Sequence, residues 1–372
     1  GGITSLQVRF GVDTVNPKEI RKVVSTVIGH DPGGSDPDAW VAELASWVAD
    51  NSVLVKRTFK GVSREFDVSL DALENVLSPA YSGDEITTSA LVEDGIQSEA
   101  ETFADARELF AVVDGGDTLW NQFTSTLELM EDLYPGATIT SRMQTTAEKG
   151  TVQTKTTVTS RLADATGHRV DELSAQYRRM TGESVDSSDP DEICAELTEW
   201  LRKNESTVNT LLDDATATFD GVSFGDIESV LEAASNDGQI EEAQLVDAAF
   251  DQQVKEYQKA REILQEDPSP WSQLQDRYRT LRAEHPQSPT TESIEAALDA
   301  SRPPSLEEVQ RLLNMPVIGG DDIWAELQHV AEELRKELPN ADVTDEVTGL
   351  VDANDRPTDE RATDLLDEAD EL

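Results

Sequence analysis

Cysteine, lysine and long apolar runs are scarce in this sequence. Cys194 is the one cysteine among 372 residues, which excludes an intramolecular disulfide and a metal cage built from cysteines. We expect it to be a small buried residue within a helix. No apolar run approaches the roughly 20 residues of a membrane span, and no signal peptide is recognisable. We therefore expect a cytoplasmic protein with no membrane partner.

The sequence also lacks the signatures of common catalytic sites. A phosphate-binding loop needs a lysine followed by Ser or Thr, and neither glycine-containing loop, at 31–35 or 115–118, has that lysine. No Gly-x-Ser-x-Gly elbow occurs, and the four histidines lie in separate elements. Acidic pairs such as Asp213-Asp214 carry no signal among 76 acids. We assign no catalytic, metal-binding or cofactor-binding residue and predict no cofactor.

Negative charge is the dominant global feature. The chain has 76 Asp and Glu against 30 Lys and Arg, for a formal net charge of −46, and the acids are spread over nearly its whole length. The repulsion among these like charges is strong in dilute buffer. It is largely removed in molar salt, where the screening length falls to about 3 Å. The pattern is typical of a halophilic cytoplasm. Mimicry of nucleic acid or binding to a basic partner is the alternative, which the dispersal of the charge disfavours.

The apolar residues recur at helical spacing along most of the chain. We predict a mainly α fold, a multi-helix array with a duplicated helical module and one minor N-terminal strand at residues 3–10. The threonine-rich stretch at 151–158 has strand-like residue types, but we prefer helix or loop. The predicted parts are an N-terminal strand and helix (1–30), a first helical module with following helices (31–135), a polar connector and helix (136–188), a second module copy (189–235), C-terminal helical hairpins (236–338) and a flexible acidic tail (339–372).

The duplicated module begins with the same capping sequence in both copies. Asp36-Pro37-Asp38 and Asp189-Pro190-Asp191 are typical of a helix start, with a capping carboxylate followed by proline at the first helical position. A Trp and an Asn recur at the same offset of 153 residues (189 − 36), at Trp47 and Asn51 and at Trp200 and Asn204. Phe59-Lys60-Gly61-Val62-Ser63 and Phe219-Asp220-Gly221-Val222-Ser223 then match at an offset of 160 (219 − 59). We predict a seven-residue insertion in the second copy, a chain break at each Gly-Val-Ser, and both tryptophans in the interior.

One predicted helical hairpin, at residues 255–282, is rich in cations although the chain as a whole is strongly acidic. Its cations are the tentative nucleic-acid-binding residues of this chain, with Tyr257, Trp271 and Tyr278 interleaved: Lys255, Lys259, Arg277, Arg279 and Arg282, together with Arg261. Cations and aromatic rings can hold a phosphate backbone and stack on bases. The alternative, which we favour, is that these cations pair with neighbouring acids and the rings are core.

A resemblance to a known family rests on residues 271–313. The stretches are Trp271-Ser272-Gln273-Leu274-Gln275, Arg277-Tyr278-Arg279-Thr280-Leu281-Arg282, His285-Pro286 and Arg302-Pro303-Pro304-Ser305-Leu306-Glu307-Glu308-Val309. This region resembles the helical C-terminal part of large P-loop ATPases from BREX-type phage-defence systems, including haloarchaeal members. The resemblance implies an ATPase domain upstream of Gly1, and a helical region that supports assembly or contact with DNA and other defence proteins. No functional residue of this chain can be assigned from the resemblance.

These observations predict a non-catalytic helical scaffold or regulatory region of a larger intracellular machine, with other protein subunits or domains as partners. The start at Gly1-Gly2 without methionine fits either a tag remnant or a fragment of a longer polypeptide. A stand-alone enzyme with a metal- or carboxylate-dependent site is one alternative. A nucleic-acid binding module that uses the basic hairpin at 255–282 is the other.

The net charge predicts salt-dependent folding. Circular dichroism should show helix content rising from dilute buffer to molar KCl, because screening relieves the repulsion among the acids. Equal helix content and equal heat stability at both salt concentrations would contradict the halophile interpretation.

Overall fold

The structure, a computed structural model, describes residues 16–113, 115–286, 288–317, 323–353, 355, 357 and 359–370. Within these residues the chain forms eighteen α-helices and two short 3-10 helices, and the only extended pairing is an isolated bridge between Val112 and Thr118. The predicted mainly α fold is confirmed. The strand predicted at 3–10 lies outside the described residues.

The chain divides into two compact units, residues 1–169 and 170–372. The helices before the division are α1 (Pro17–Ile28), α2 (Pro37–Asp50), α3 (Ser52–Glu65), α4 (Asp71–Leu77), α5 (Ile96–Phe110), α6 (Leu119–Leu133) and α7 (Thr138–Glu148). The division falls within α8 (Lys155–Thr181). The helices after it are α9 (Pro190–Thr218), α10 (Gly225–Ser235), α11 (Glu242–Leu245), α12 (Ala248–Leu264), α13 (Pro270–Glu284), α14 (Pro289–Leu298), α15 (Leu306–Asn314), α16 (Ile323–Glu337), α17 (Asp342–Asp352) and α18 (Asp359–Asp370).

The two Asp-Pro-Asp sequences start helices as predicted. The carboxylate of Asp36 accepts a hydrogen bond from the backbone N–H of Asp38 at 3.2 Å, and that of Asp189 accepts one from Asp191 at 2.9 Å. Each proline occupies the first turn, where no backbone donor is needed.

The predicted seven-residue insertion in the second copy was wrong. Helices α2 and α3 together end at Glu65 and α9 ends at Thr218, so the offset of 153 (218 − 65) continues to the helix end. Phe219 corresponds to Phe66, because each is the extended residue after its helix and donates its N–H to the fourth residue back. Gly61-Val62-Ser63 lies inside α3 and does not break the helix. Gly61 is needed for a different reason, because Phe110 fills the space that a side chain at this position would occupy.

The duplication extends far beyond the predicted module. Helix α1 corresponds to the last twelve residues of α8, both ending at a left-handed glycine, Gly29 (φ 87°) and Gly182 (φ 84°). An arginine from a later helix covers each glycine and donates to a carbonyl two residues before it: Arg107 to Val27 and Arg261 to Met180. The second copy therefore starts at Val170, where the second compact unit also starts.

The buried residues correspond in both copies, at an offset of 153 as far as Phe66 and Phe219 and of 154 beyond them (227 − 73). They form matched pairs along the two units, each fully or almost fully buried: Trp40 and Ile193, Leu44 and Leu197, Val55 and Val208, Leu73 and Ile227, Phe103 and Tyr257, Ala106 and Ala260, and Leu109 and Ile263. A ring contact also recurs. Phe66 lies 4.7 Å from Trp120 and Phe219 lies 5.1 Å from Trp271, between ring centroids.

A three-helix unit occurs three times, as α6–α7–α8, α13–α14–α15 and α16–α17–α18. Each three-helix unit has a buried tryptophan at the second position of its first helix: Trp120, Trp271 and Trp324. Each unit also has a threonine in its second helix whose hydroxyl donates at 2.7 Å to the carbonyl six residues earlier: Thr140 to Tyr134, Thr291 to His285, and Thr344 to Leu338. A proline follows each accepting residue (Pro135, Pro286 and Pro339).

The third copy overturns the prediction of a flexible acidic tail at 339–372. Helices α17 and α18 occupy most of the described part of this region and pack with α16 through Val343, Val347, Ala362 and Leu365. Sequence analysis missed them because few large apolar residues are present. Those few recur at helical spacing, and this is sufficient for one buried stripe per helix.

The tryptophans of the capping helices are less buried than predicted. Trp47 and Trp200 are both half-buried. Trp200 packs at the margin of the second unit's core, and the Arg107 guanidinium lies 5.6 Å from the Trp47 ring centroid. The equivalence of the two positions holds, but both rings lie at the edge of the core.

Burial therefore distinguishes two sets of tryptophans. Trp120→Ala and Trp271→Ala should each lower the free energy of unfolding by about 3–5 kcal/mol, because each removes a buried ring. Trp47→Ala and Trp200→Ala are the matched controls and should cost less. Denaturant titration in high salt measures this, and equal losses in all four variants would contradict the assigned burial.

Candidate functional site

The basic hairpin predicted from the sequence consists of α12 and α13, joined by residues 265–269. Tyr257 and Trp271 are buried within the unit, whereas Tyr278 is half-buried and donates its hydroxyl hydrogen to Glu295. Two of the three rings therefore belong to the core and present no face on which a base could stack.

The cations of α12 are paired within the unit. Lys255 donates to Asp251 at 2.6 Å, and Asp251 also accepts from Gln176 at 2.8 Å and Arg179 at 2.9 Å. Burial raises the pKa of Asp251, but the hydrogen bonds from Lys255 and Gln176 and the neighbouring positive charges outweigh it, so the net pKa lies below the usual range. Lys259 lies 3.8 Å from Glu256.

The arginines of α13 are also engaged. Arg277 donates to the backbone carbonyl of Met315, and partial burial lowers its pKa. Arg279 pairs with Asp276 at 2.6 Å, and Arg282 reaches Glu295 at 3.1 Å. All five residues predicted to bind nucleic acid thus have partners inside their own unit. The geometry favours the structural alternative for this hairpin, and nucleic-acid binding there stays a prediction.

A second group of cations, which sequence analysis did not single out, surrounds a cavity in the first unit. Arg57, Lys60 and Arg64 lie on α3 and form one wall. The described residues of the other wall are Phe110, Val112, Gly116, Asp117, Thr118 and Asn121. The cavity has a volume of about 350 Å³. The sequence contained one indication of this cationic group. Residues 52–64 contain no acid, in a chain where 76 of 372 residues are acidic.

Another cavity, of about 740 Å³, lies between α2 and residues 85–89 in the same unit. Its charged lining consists of Asp38 and Glu85, which supply no convergent chemistry. The described residues contain no group of three or more His, Cys, Asp or Glu placed to hold a metal ion. Among the helices described, none combines the length and apolar character needed to cross a membrane.

Comparison with known proteins gave no family model that matches this chain. It likewise gave no match among curated proteins and none among solved structures.

The hairpin arginines should differ in their effect on stability. Arg277→Gln should lower the free energy of unfolding by about 1–3 kcal/mol, because it leaves the Met315 carbonyl without its donor. Arg279→Gln, the matched control on the same helix, should change it by less than about 0.5 kcal/mol, because its ion pair is exposed. Denaturant titration at one high salt concentration measures both, and equal effects would contradict the structural role of Arg277.

Proposed function

We propose that this chain is a non-catalytic helical scaffold or regulatory region of a larger intracellular machine. The observation that carries the proposal is the repetition of the three-helix unit, with its tryptophan and its threonine-to-carbonyl hydrogen bond, three times in one chain. Repeated helical units with a common core and differing surfaces are typical of proteins that present several binding surfaces from one framework.

The surfaces of the copies differ where their cores agree. In α3 the exposed side includes Lys60 and Arg64, and the corresponding positions in α9 hold Asp213 and Ala217. The buried Val55 and Val208 in the same helices are identical. Such divergence gives each copy a different partner chemistry while the packing is retained.

The kind of machine is proposed from the sequence alone. Residues 271–313 resemble the helical C-terminal part of BREX-type phage-defence ATPases, which supports a role in an ATP-dependent defence assembly of a halophile. In that assembly the helical array would hold other subunits or domains in place, and ATP hydrolysis would belong to another part of the machine.

An assembly experiment tests the scaffold proposal. Cross-linking in intact cells of the native host, followed by mass spectrometry of the tagged chain, should recover cross-links between defined helices of this chain and particular partner proteins. Those cross-links should persist after purification in molar KCl. A chain that is cross-linked only to itself would contradict the proposal.

The non-catalytic part of the proposal has its own test. Purified in high salt, the chain should release no more phosphate from ATP or GTP than a blank without protein, because it has no lysine placed as in a phosphate-binding loop. Turnover that rises with protein concentration and elutes with the chain through successive columns would refute this part.

A further inference from the structure

The cavity between α3 and the two stretches 110–112 and 116–121 has the features of an anion site. We propose that it binds a phosphate group, supplied either by a free nucleotide or by the backbone of a nucleic acid. The proposal rests on three cations that line one cavity, on their replacement in the matching helix of the second copy, and on the chemistry of the opposite wall.

The three cations lie on one side of α3. Positions 57, 60 and 64 are spaced by three and four residues, which places their side chains along one helix face over roughly 10 Å. Arg57 is half-buried and its Nη1 lies 3.5 Å from the Phe110 carbonyl oxygen, a long contact that leaves most of the guanidinium's donors unused. Lys60 is exposed and forms no ion pair within the described residues.

Two acids near the cavity have hydrogen-bond donors of their own. Asp117 accepts from the backbone N–H of Thr118 and from the Asn121 side chain, both at 2.7 Å. Glu65 accepts from Arg64 and, at 3.4 Å, from the indole N–H of Trp120. Among the described residues that line the cavity, three are cations and one, Asp117, is an acid, so this described lining is net positive in a chain whose total charge is −46.

The duplication shows that the fold does not require these cations. The positions of Arg57, Lys60 and Arg64 correspond to Thr210, Asp213 and Ala217 in α9, at the offset of 153. Helix α9 packs on its core with those residues in place. In the first copy the structural contacts of these cations are the long Arg57 contact to Phe110 and the Arg64–Glu65 ion pair, and the second copy folds without either.

Other parts of the cavity are also specific to the first copy. Gly61 lets α3 approach the Phe110 ring closely, since an added Cβ would lie 2.6 Å from it, and Asp214 stands at the corresponding position of α9. The loop at 111–118 is longer than its counterpart at 265–269, and it places the side chain of Val112, 52% exposed, at the cavity.

Phosphate is the anion that fits this set of groups best. Two guanidinium groups can each donate two parallel hydrogen bonds to phosphate oxygens, and the lysine adds a point charge. A volume of about 350 Å³ is at the lower end for small-molecule sites, large enough for a phosphate and part of its sugar. Phe110 and Val112 offer apolar contacts to that remainder.

Binding should be measured at the lowest KCl concentration at which circular dichroism shows the full helix content. The probes are ADP, by titration calorimetry, and a fluorescein-labelled DNA 15-mer, single- or double-stranded, by anisotropy. We expect saturable binding of at least one probe. Tight binding of ADP alone assigns the site to a nucleotide, and binding of DNA alone assigns it to a nucleic-acid backbone.

Two variants locate the site. The triple variant Arg57→Thr, Lys60→Asp, Arg64→Ala installs the residues of the second copy and should weaken binding at least tenfold. Lys60→Gln, at an exposed position where folding is not at risk, should weaken it severalfold.

The control removes the same number of cations at three exposed positions away from the cavity and from the basic hairpin, as Lys18→Gln, Arg142→Gln, Arg178→Gln, and should leave the affinity within twofold. Failure of the wild-type chain to bind either probe would overturn the proposal. So would an equal loss in the control, which would show a general charge effect, or undiminished binding by Lys60→Gln and the triple variant.

Discussion

In each copy, a phenylalanine packs against a tryptophan near the start of the three-helix unit. The phenylalanine directly follows α3 or α9, so this contact joins the duplicated module to the three-helix unit. In the first unit it is Phe66 against Trp120, and in the second it is Phe219 against Trp271. Both aromatic pairs are buried. In a chain with only 37% hydrophobic residues, a few large rings supply much of the apolar area that offsets the conformational entropy of folding. Helices α16–α18 have a core cluster of their own, which includes Trp324.

Local signals predicted the individual helices well. The capping residues predicted the starts of α2 and α9, because such signals act within one or two turns. The register between the copies was predicted incorrectly because Phe59 was matched to Phe219 by residue identity. The buried positions show the correct match, Phe66 with Phe219, and burial depends on packing between helices that no local pattern displays. The acidic tail was missed for a related reason, since short helices with one small apolar stripe are stable only against α16.

The same distinction between local and tertiary information applies to the sites. The cations at 255–282 attracted attention because aromatic residues alternate with them, yet acids three or four residues away or on the adjoining helices pair with most of them. The cations of α3 are spaced just as locally, but their significance depends on a loop some fifty residues later that closes the opposite wall of the cavity. Only the lack of acids at 52–64 could have indicated the group from the sequence.

Salt connects the surface charge to the way in which such a site could work. At the ionic strength that a net charge of −46 favours, screening reduces electrostatic attraction to a range of about 3 Å. A diffuse positive patch then contributes little, because its attraction acts mainly over longer distances. Direct hydrogen bonds from Arg57, Lys60 and Arg64 to a bound phosphate would act at contact distance, where screening by salt is weaker. We therefore expect phosphate recognition by such a chain to depend on hydrogen bonds made at contact distance, and the first copy, unlike the second, has three cations at one cavity that can form them.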